Sequence, residues 1–218
     1  RNDKFQVLAR NIVKVALDDG QDIESLKDAK YPEGLQTIAE AITDHIAVIG
    51  ENMNLRRVSY INVDNGAISS YVHNAISNGL GKIGVLVALE SNGDKDKLLE
   101  LGKRIAMHVA AARPLSLDIS SVDSEALERE KQIFSDQARS SGKPDNIIEK
   151  MVAGRVNKFL QENCLVSQPF VKDADQTVAD LLKVDGITVT GFIRYELGEG
   201  IEKKSVDFAE EVRAQLED

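Results

Sequence analysis

The sequence of 218 residues has no tryptophan, one cysteine and only 5% aromatic residues. With so few aromatic side chains it lacks the stacking platforms that hold single-stranded nucleic acids. Cys164 has no second cysteine for an internal disulfide, so we expect a reducing compartment, and the cytoplasm is the simplest one. No run of eighteen apolar residues occurs, and Arg1-Asn2-Asp3-Lys4 does not resemble a signal peptide. We therefore expect neither a membrane span nor secretion.

Positive charge is also scarce, because 27 Lys and Arg residues face 36 Asp and Glu residues, for a net charge of -9. Nucleic-acid affinity comes chiefly from cationic side chains that neutralise phosphates, so we expect no DNA or RNA partner.

The residue patterns of common catalytic and metal sites are missing as well. His45, His73 and His108 have no second ligand at metal-binding spacing, and Cys164 has no nearby histidine that could activate it. Residues Gly79–Gly84 match the glycine spacing of dinucleotide-binding loops, but they lead into a strand rather than from a strand into a helix, so we interpret them as a hairpin loop. We expect no cofactor, no metal and no enzymatic activity.

Apolar residues make up 42% of the chain, and their helical spacing predicts several helices. The first begins near Phe5 and ends at Gly20, where glycine can adopt the left-handed cap conformation. A second apolar stripe runs from Leu35 to Ile49 and closes at Gly50 in the same way. Further helices are expected at residues 23–30, 94–112, 177–183 and 204–216.

Four segments have the composition of strands. Leu55–Val63 and Ala67–His73 flank Asn65-Gly66, a pair typical of two-residue hairpin turns because both turn positions need positive φ. Ile83–Leu89 is a continuous apolar run, which predicts a central strand covered on both faces. Ile187–Tyr195 alternates between apolar and polar residues and predicts another strand.

Residues 123 to 160 are charged and contain no strand signal. Leu127 and Phe134 lie on one predicted helix, and Ile148 lies on a second. Between them, Gly142 stands just past the first helix and Pro144 at the first turn of the next, which predicts an antiparallel helical hairpin with arms about 24 Å long. Such a hairpin either packs on the body of the protein or projects as a coiled coil.

These elements predict an α+β fold with a helical insertion. We expect two subdomains, each with a small antiparallel sheet packed by helices, plus an inserted antiparallel coiled-coil hairpin. The predicted division is residues 1–65 for the N-terminal core subdomain, 66–122 and 163–203 for the C-terminal core subdomain, 123–162 for the hairpin and 204–218 for a C-terminal helix.

The segment from Ile49 to His73 has the character of a surface that binds another protein. Ile49 is an apolar residue at a helix end, and Gly50 permits close backbone approach. His73 ends a strand just before a polar, glycine-rich loop, where side chains face solvent or a partner. We interpret the basic pair Arg56-Arg57 as strand residues that are solvated or paired with carboxylates.

Several runs, taken together and in order along nearly the whole chain, resemble the elongation factor Ts family. They include Ile-Gly-Glu-Asn-Met-Asn-Leu-Arg-Arg-Val at 49–58 and Val-Thr-Gly-Phe-Ile-Arg-Tyr-Glu-Leu-Gly-Glu-Gly-Ile-Glu at 189–202. The other runs are Arg1–Gln6, Ser70–His73, Ile83–Val87, Ile105–Ala110, Ser141–Pro144, Glu149–Arg155 and Gln168–Phe170.

The resemblance implies a guanine-nucleotide exchange factor that binds elongation factor Tu and expels GDP so that GTP can rebind. It implies that Ile49 and Gly50 press on helices of the partner's nucleotide domain and that His73 contacts the same domain. It also implies a two-part core with a coiled-coil hairpin, which some members use to dimerise.

Members of the family carry a Thr-Asp-Phe-Val-Ala run whose Asp and Phe enter the partner near its magnesium and phosphate site. Arg1 stands just past the place of that run, so the resemblance implies a core region in which binding is the firmer expectation and exchange the weaker one. The alternative hypothesis is a structural association module that forms a homodimer through residues 123–162.

Overall fold

The computed structural model describes residues 2–19, 22–140, 142–183 and 186–201, so the helix predicted at residues 204–216 lies outside the described residues. Seven α-helices lie in the described part of the chain: α1 (Asp3–Asp19), α2 (Ile23–Asp28), α3 (Ile38–Ile49), α4 (Lys95–Ala112), α5 (Ser124–Arg139), α6 (Asp145–Asn163) and α7 (Val178–Lys183). Five strands accompany them: β1 (Gly66–His73), β2 (Ile83–Glu90), β3 (Pro169–Phe170), β4 (Asp173–Thr177) and β5 (Thr188–Glu196).

Polar caps fix the helix boundaries. The α3 helix starts later than the apolar stripe suggests, because Thr37 and Glu40 form a reciprocal capping box at its first turn. Leu35 therefore lies outside the helix, where its side chain is 95% exposed. Asp94 caps α4 by accepting backbone hydrogen bonds, and Arg113 ends that helix in the left-handed conformation.

The main sheet is antiparallel, with strand order β1-β2-β5. β2 lies in the centre, as predicted, and its residues Val85, Val87 and Leu89 are buried beneath α4. A second, two-stranded antiparallel sheet pairs β3 with β4. The α+β class with small antiparallel sheets is thus confirmed.

The hairpin predicted around Asn65-Gly66 is wrong. Residues 55–63 form no strand, and β1 pairs instead with β2, from Gly66 opposite Glu90 to His73 opposite Ile83. Asn65 does not have the positive φ that a type I′ turn needs. Gly66 is already part of the ladder, where an added Cβ would lie 2.9 Å from the carbonyl carbon of Leu89.

The described residues bury two separate apolar clusters. The helical cluster joins α1, α2 and α3 around Leu8, Leu26 and Ile38. The sheet cluster lies between α4 and the main sheet and continues to Leu165 and Phe170. Both sheets lie after residue 65, so the sheet expected in the first 65 residues is not found in the described ranges 2–19 and 22–65.

The helices α5 and α6 pack side by side and in opposite senses. Their connection includes Gly142 with a φ of 68°, and Pro144 precedes the first turn of α6. Arg155 on α6 donates a hydrogen bond to Gln137 on α5 over 2.6 Å and lies above the ring of Phe134.

Candidate partner-binding surface

The C-terminus of α3 ends in a well-defined glycine cap. Gly50 caps the helix with a φ of 78°, and its N–H donates to the carbonyl of Ile46 over 2.8 Å. Because that conformation is strained for residues with a Cβ, glycine is the residue that suits this position. Ile49 is half-buried, whereas Val48 beside it is 62% exposed. The helix end therefore offers an apolar edge next to a bare peptide unit.

His73 occupies the last position of β1, and its side chain is exposed. The hydroxyl of Tyr71 and the Nδ1 of His73 share a hydrogen bond of 3.0 Å, which restrains the imidazole ring. Asn74 follows with a φ of 50°, so the chain turns away directly after the histidine. The ring is thus held at the sheet end and remains open to a partner.

A surface cavity of about 300 Å³ opens beside His73. Its walls are mainly apolar and come from the main sheet, from α4 and from the turn between β3 and β4, where Lys172 adds a positive charge. The lining residues are Tyr71, His73, Ile83, Met107, Ala110, Ala111, Val171 and Lys172. This cavity can receive one apolar side chain.

The structure places Ile49 and Gly50 on the helical part of the protein and His73 on the sheet. Both positions lie at element ends, where a helix cap holds the backbone of Gly50 and a side-chain hydrogen bond restrains the ring of His73, as a rigid contact site requires.

Sequence reasoning missed a cluster of four arginines and two glutamates that joins the segment after α3 to the end of β5. Arg57 Nη1 donates to a carboxylate oxygen of Glu199 over 3.0 Å, and Arg57 Nη2 donates to the carbonyl of Glu196 over 3.3 Å. Arg56 donates to the carbonyl of Glu199 over 2.8 Å. The expected carboxylate pairing is found for Arg57, but Arg56 and Arg57 do not lie in a strand, and their partners are about 140 residues away along the chain, with no local signal.

The carboxylate of Glu196 accepts hydrogen bonds from two more arginines. Arg194 donates to it over 2.8 Å and Arg113 over 2.9 Å. The hydrogen bond from Arg194, together with the charges of Arg113 and Arg194, lowers the pKa of the Glu196 carboxyl group. The side chain of Arg194 is only 7% exposed, and its Nε has no partner among the described residues.

The remaining two histidines make hydrogen bonds within the protein. His108 is fully buried, and its Nδ1 accepts the backbone N–H of Val171 over 3.2 Å. Nε2 must then carry the proton, which it donates to Gln168 over 2.8 Å. Burial lowers the pKa of His108, so the ring is neutral in the folded protein. The half-buried His45 donates from Nδ1 to the carbonyl of Ala41.

Other candidate sites find structural explanations. Residues 74–82 form the loop between β1 and β2, so the glycine pattern belongs to a hairpin loop. Arg10 on α1 donates to Ser77 and Asn78 in that loop, over 3.1 and 2.6 Å. Burial raises the pKa of the Cys164 thiol. Within the described ranges, no group of three or more His, Cys, Asp and Glu residues could hold a metal ion.

Comparison with known proteins decides which family these features belong to. The family model for elongation factor Ts matches residues 1–199. The chain belongs to the elongation factor Ts family. It is 50% identical over 220 residues to elongation factor Ts of Bartonella bacilliformis, a match that covers 98% of this chain and 72% of that protein. It is 51% identical over 221 residues to that of Paramagnetospirillum magneticum, covering 99% of this chain and 71% of the relative.

The elongation factor Ts of Gluconobacter oxydans is 50% identical over 214 residues, with 98% of this chain and 70% of the relative covered. Membership in this family makes the chain a translation elongation factor. Across the described residues, no helix combines the length and apolar character that crossing a lipid bilayer requires.

Proposed function

We propose that this chain binds elongation factor Tu, promotes release of GDP and so lets GTP rebind. The observation that carries the proposal is the end of α3, where Ile49 and Gly50, which match contact positions of the elongation factor Ts family, form an apolar edge beside an accessible peptide. His73, restrained by Tyr71 at the end of β1, supplies the second proposed contact to the nucleotide domain. The net charge of -9 favours a protein partner over a nucleic acid.

Exchange requires binding alone and no covalent step. If the chain binds the nucleotide-free GTPase more tightly than the GDP-bound form, linkage lowers the affinity for GDP by the same factor. A thousandfold loss of GDP affinity corresponds to about 4 kcal/mol of preferential binding. The helix end suits this task because its cap fixes the backbone before contact, so little entropy is lost on binding.

The proposed domain division follows the two apolar clusters, with the N-terminal core subdomain around α1 to α3 and the C-terminal core subdomain around the main sheet. The paired helices α5 and α6 are proposed to be the inserted coiled-coil hairpin. The proposed place of action is the cytoplasm, where translation elongation takes place.

Stopped-flow release of a fluorescent GDP analogue from elongation factor Tu tests the proposal. Adding the chain should accelerate release, and Ile49→Ala and His73→Ala should each weaken the complex about tenfold, because each removes a side chain at the contact. Lys82→Ala is the matched control, since Lys82 is exposed next to Ile83, the cross-strand neighbour of His73, and should leave the complex unchanged.

Two outcomes would contradict the proposal. Release rates that are equal with and without saturating chain would exclude exchange activity. Unchanged binding by both alanine variants would exclude these contact residues. Because Ile49 is half-buried, thermal unfolding of Ile49→Ala must first show that the fold is intact.

A second candidate function is a structural association module that forms a homodimer through residues 123–162. It rests on a groove of about 750 Å³ between α5 and α6. Leu127, Ile148, Val152 and Val156 contribute apolar surface to this groove, which a second copy could cover.

A further inference from the structure

The two proposed contact sites belong to different parts of the core. Ile49 and Gly50 end α3, which packs in the helical cluster, whereas β1 carries His73 and packs in the sheet cluster. Among the described residues the two clusters share no member. Something other than a common apolar core must therefore set the spacing between the two sites.

Arg57 provides a direct connection. It lies in the segment that follows α3, and the neighbouring residues Leu55 and Val58 pack against the helical cluster. Its guanidinium group donates to the carboxylate of Glu199 and to the carbonyl of Glu196, and it stacks 4.4 Å from the ring centre of Tyr195. A fork with two donors and a flat stacking face fixes direction as well as distance.

Glu196, which Arg57 contacts, lies directly across the sheet from His73. Ile83 in the central strand pairs with His73 on one side and with Glu196 on the other. Neighbouring strands are separated by about 4.8 Å, so the backbones of Glu196 and His73 are about 10 Å apart. A continuous path thus leads from Gly50 through Arg57 and Glu196 to His73.

We infer that Arg57 is a positioning residue that holds the Ile49–Gly50 helix end and His73 at one fixed spacing, so that both can contact a single GTPase together. This inference rests on the proposed function. When two contacts sit on one rigid body, the second forms without a further loss of translational freedom, and a variable spacing lowers that advantage.

The surrounding contacts support this role. Arg56 binds the carbonyl of Glu199, and the hydroxyls of Ser59 and Tyr195 share a hydrogen bond, so the segment follows the end of β5 over several residues. Further along, Ile61 packs so close to Gly191 that an added Cβ there would lie 3.3 Å from Ile61 Cδ1. Arg57 is the member of this segment that contacts both glutamates and the aromatic ring.

The first test measures spacing without any partner. Spin labels are attached at Glu51→Cys and Lys82→Cys, both exposed positions beside the two contact sites. Pulsed electron paramagnetic resonance then measures the distance between the two labels. Cys164 is fully buried and stays unlabelled. A narrow distance distribution is expected in the parent, and a broader or shifted one in Arg57→Ala. Arg57→Lys should not fully restore it, because an ammonium group lacks the two-donor fork.

Arg113→Gln is the matched control within the same cluster. It removes one cation from Glu196 but leaves every contact of Arg57 in place, so the distance distribution should stay narrow. Arg139→Ala removes an exposed arginine from the ion pair within α5 and should likewise change nothing.

The second test measures binding to nucleotide-free elongation factor Tu. Arg57→Ala should weaken the complex about tenfold, while Arg113→Gln and Arg139→Ala bind as the parent does. An unchanged distance distribution, or unchanged affinity, in Arg57→Ala would overturn the inference. If the parent itself fails to bind, the proposed function is what fails, and the label distances still report whether Arg57 sets the spacing.

Discussion

At the scale of single residues, His108 shows most clearly how local chemistry serves the fold. Its ring connects α4 to the residues on both sides of β3, because Nε2 donates to Gln168 just before that strand while Nδ1 accepts from Val171 just after it. Gln168 in turn donates to the carbonyl of Glu162 over 2.6 Å. Only the neutral ring can donate at one nitrogen and accept at the other, so protonation would remove the acceptor for Val171.

This arrangement predicts a loss of stability in mild acid. The pKa of His108 is lower in the folded protein than the value of about 6.5 in an unfolded chain, so unfolding takes up a proton. The free energy of unfolding should be unaffected by this group above about pH 6.5 and should fall below it, by up to about 1.4 kcal/mol per pH unit. Urea unfolding at pH 7.5, 6.5 and 5.5 measures the decline.

The variant His108→Gln cannot titrate, and its stability, although lower overall, should change less between pH 6.5 and 5.5. His45→Gln is the matched control and should keep the full pH dependence because His108 is intact. Carboxyl groups with lowered pKa values, such as Asp180 at about 2, contribute to the pH dependence of stability only at lower pH. Equal pH profiles for the parent and His108→Gln would contradict this assignment.

At the scale of elements, the packing of α4 on β1 depends on one small residue. Gly102 faces β1, and a Cβ added there would lie 2.7 Å from the Cβ of Ser69. The hydroxyl of Ser69 donates to the carbonyl of Leu99 over 2.9 Å, so the helix and the strand also share a hydrogen bond. The helix therefore approaches the strand more closely than residues with side chains would permit.

Gly102→Ala should destabilise the protein by about 1 to 2 kcal/mol, because overpacking outweighs the gain of up to about 1 kcal/mol in helix propensity. Gly154→Ala is the matched control in α6, where an added Cβ meets nothing within 4 Å. That variant should be more stable by about 0.5 to 1 kcal/mol. Chemical denaturation compares the two, and a stabilised Gly102→Ala would contradict the close packing.

At the scale of the whole molecule, the chain enters and leaves the α5–α6 pair through two neighbouring segments. The backbone N–H of Leu115 donates to the carbonyl of Asn163, and the N–H of Leu165 donates to the carbonyl of Ser116, so the incoming and outgoing segments lie side by side. Among the described residues, the sheet cluster contains none between 118 and 164. The pair can therefore be removed while the residues of the main core remain.

Replacing residues 123–160 with a short Gly-Ser linker separates the two candidate functions. If the chain is an exchange factor, the variant should still bind elongation factor Tu with the parent's affinity, while any self-association through the groove should disappear. Sedimentation velocity measures self-association, and fluorescence anisotropy measures partner binding.

Loss of every measurable interaction in a variant that still unfolds cooperatively would favour the association module. A linker variant that retains self-association would instead show that the groove between α5 and α6 is not the contact between copies.

The sequence by itself was sufficient where structure depends on neighbouring residues. Periodicity and caps located α1, α3 and α4, and the apolar run identified β2 as the central strand. Such predictions succeed because helix formation and burial depend on residues only a few positions apart in the sequence. Local features marked Ile49, Gly50 and His73 as a surface that binds another protein, the family resemblance supplied their specific contacts, and those roles remain proposals.

Only the tertiary structure decided which segments meet. Local propensity favoured a strand at residues 55–63, but the partner of β1 is β2, and the cross-strand contacts that settle such a choice are formed by residues distant in sequence. The connection of Arg57 to Glu199 spans 142 positions and could not be predicted from either neighbourhood. Contacts of that range arise from the packing of whole elements, and they determine how the helix end and His73 are placed relative to each other.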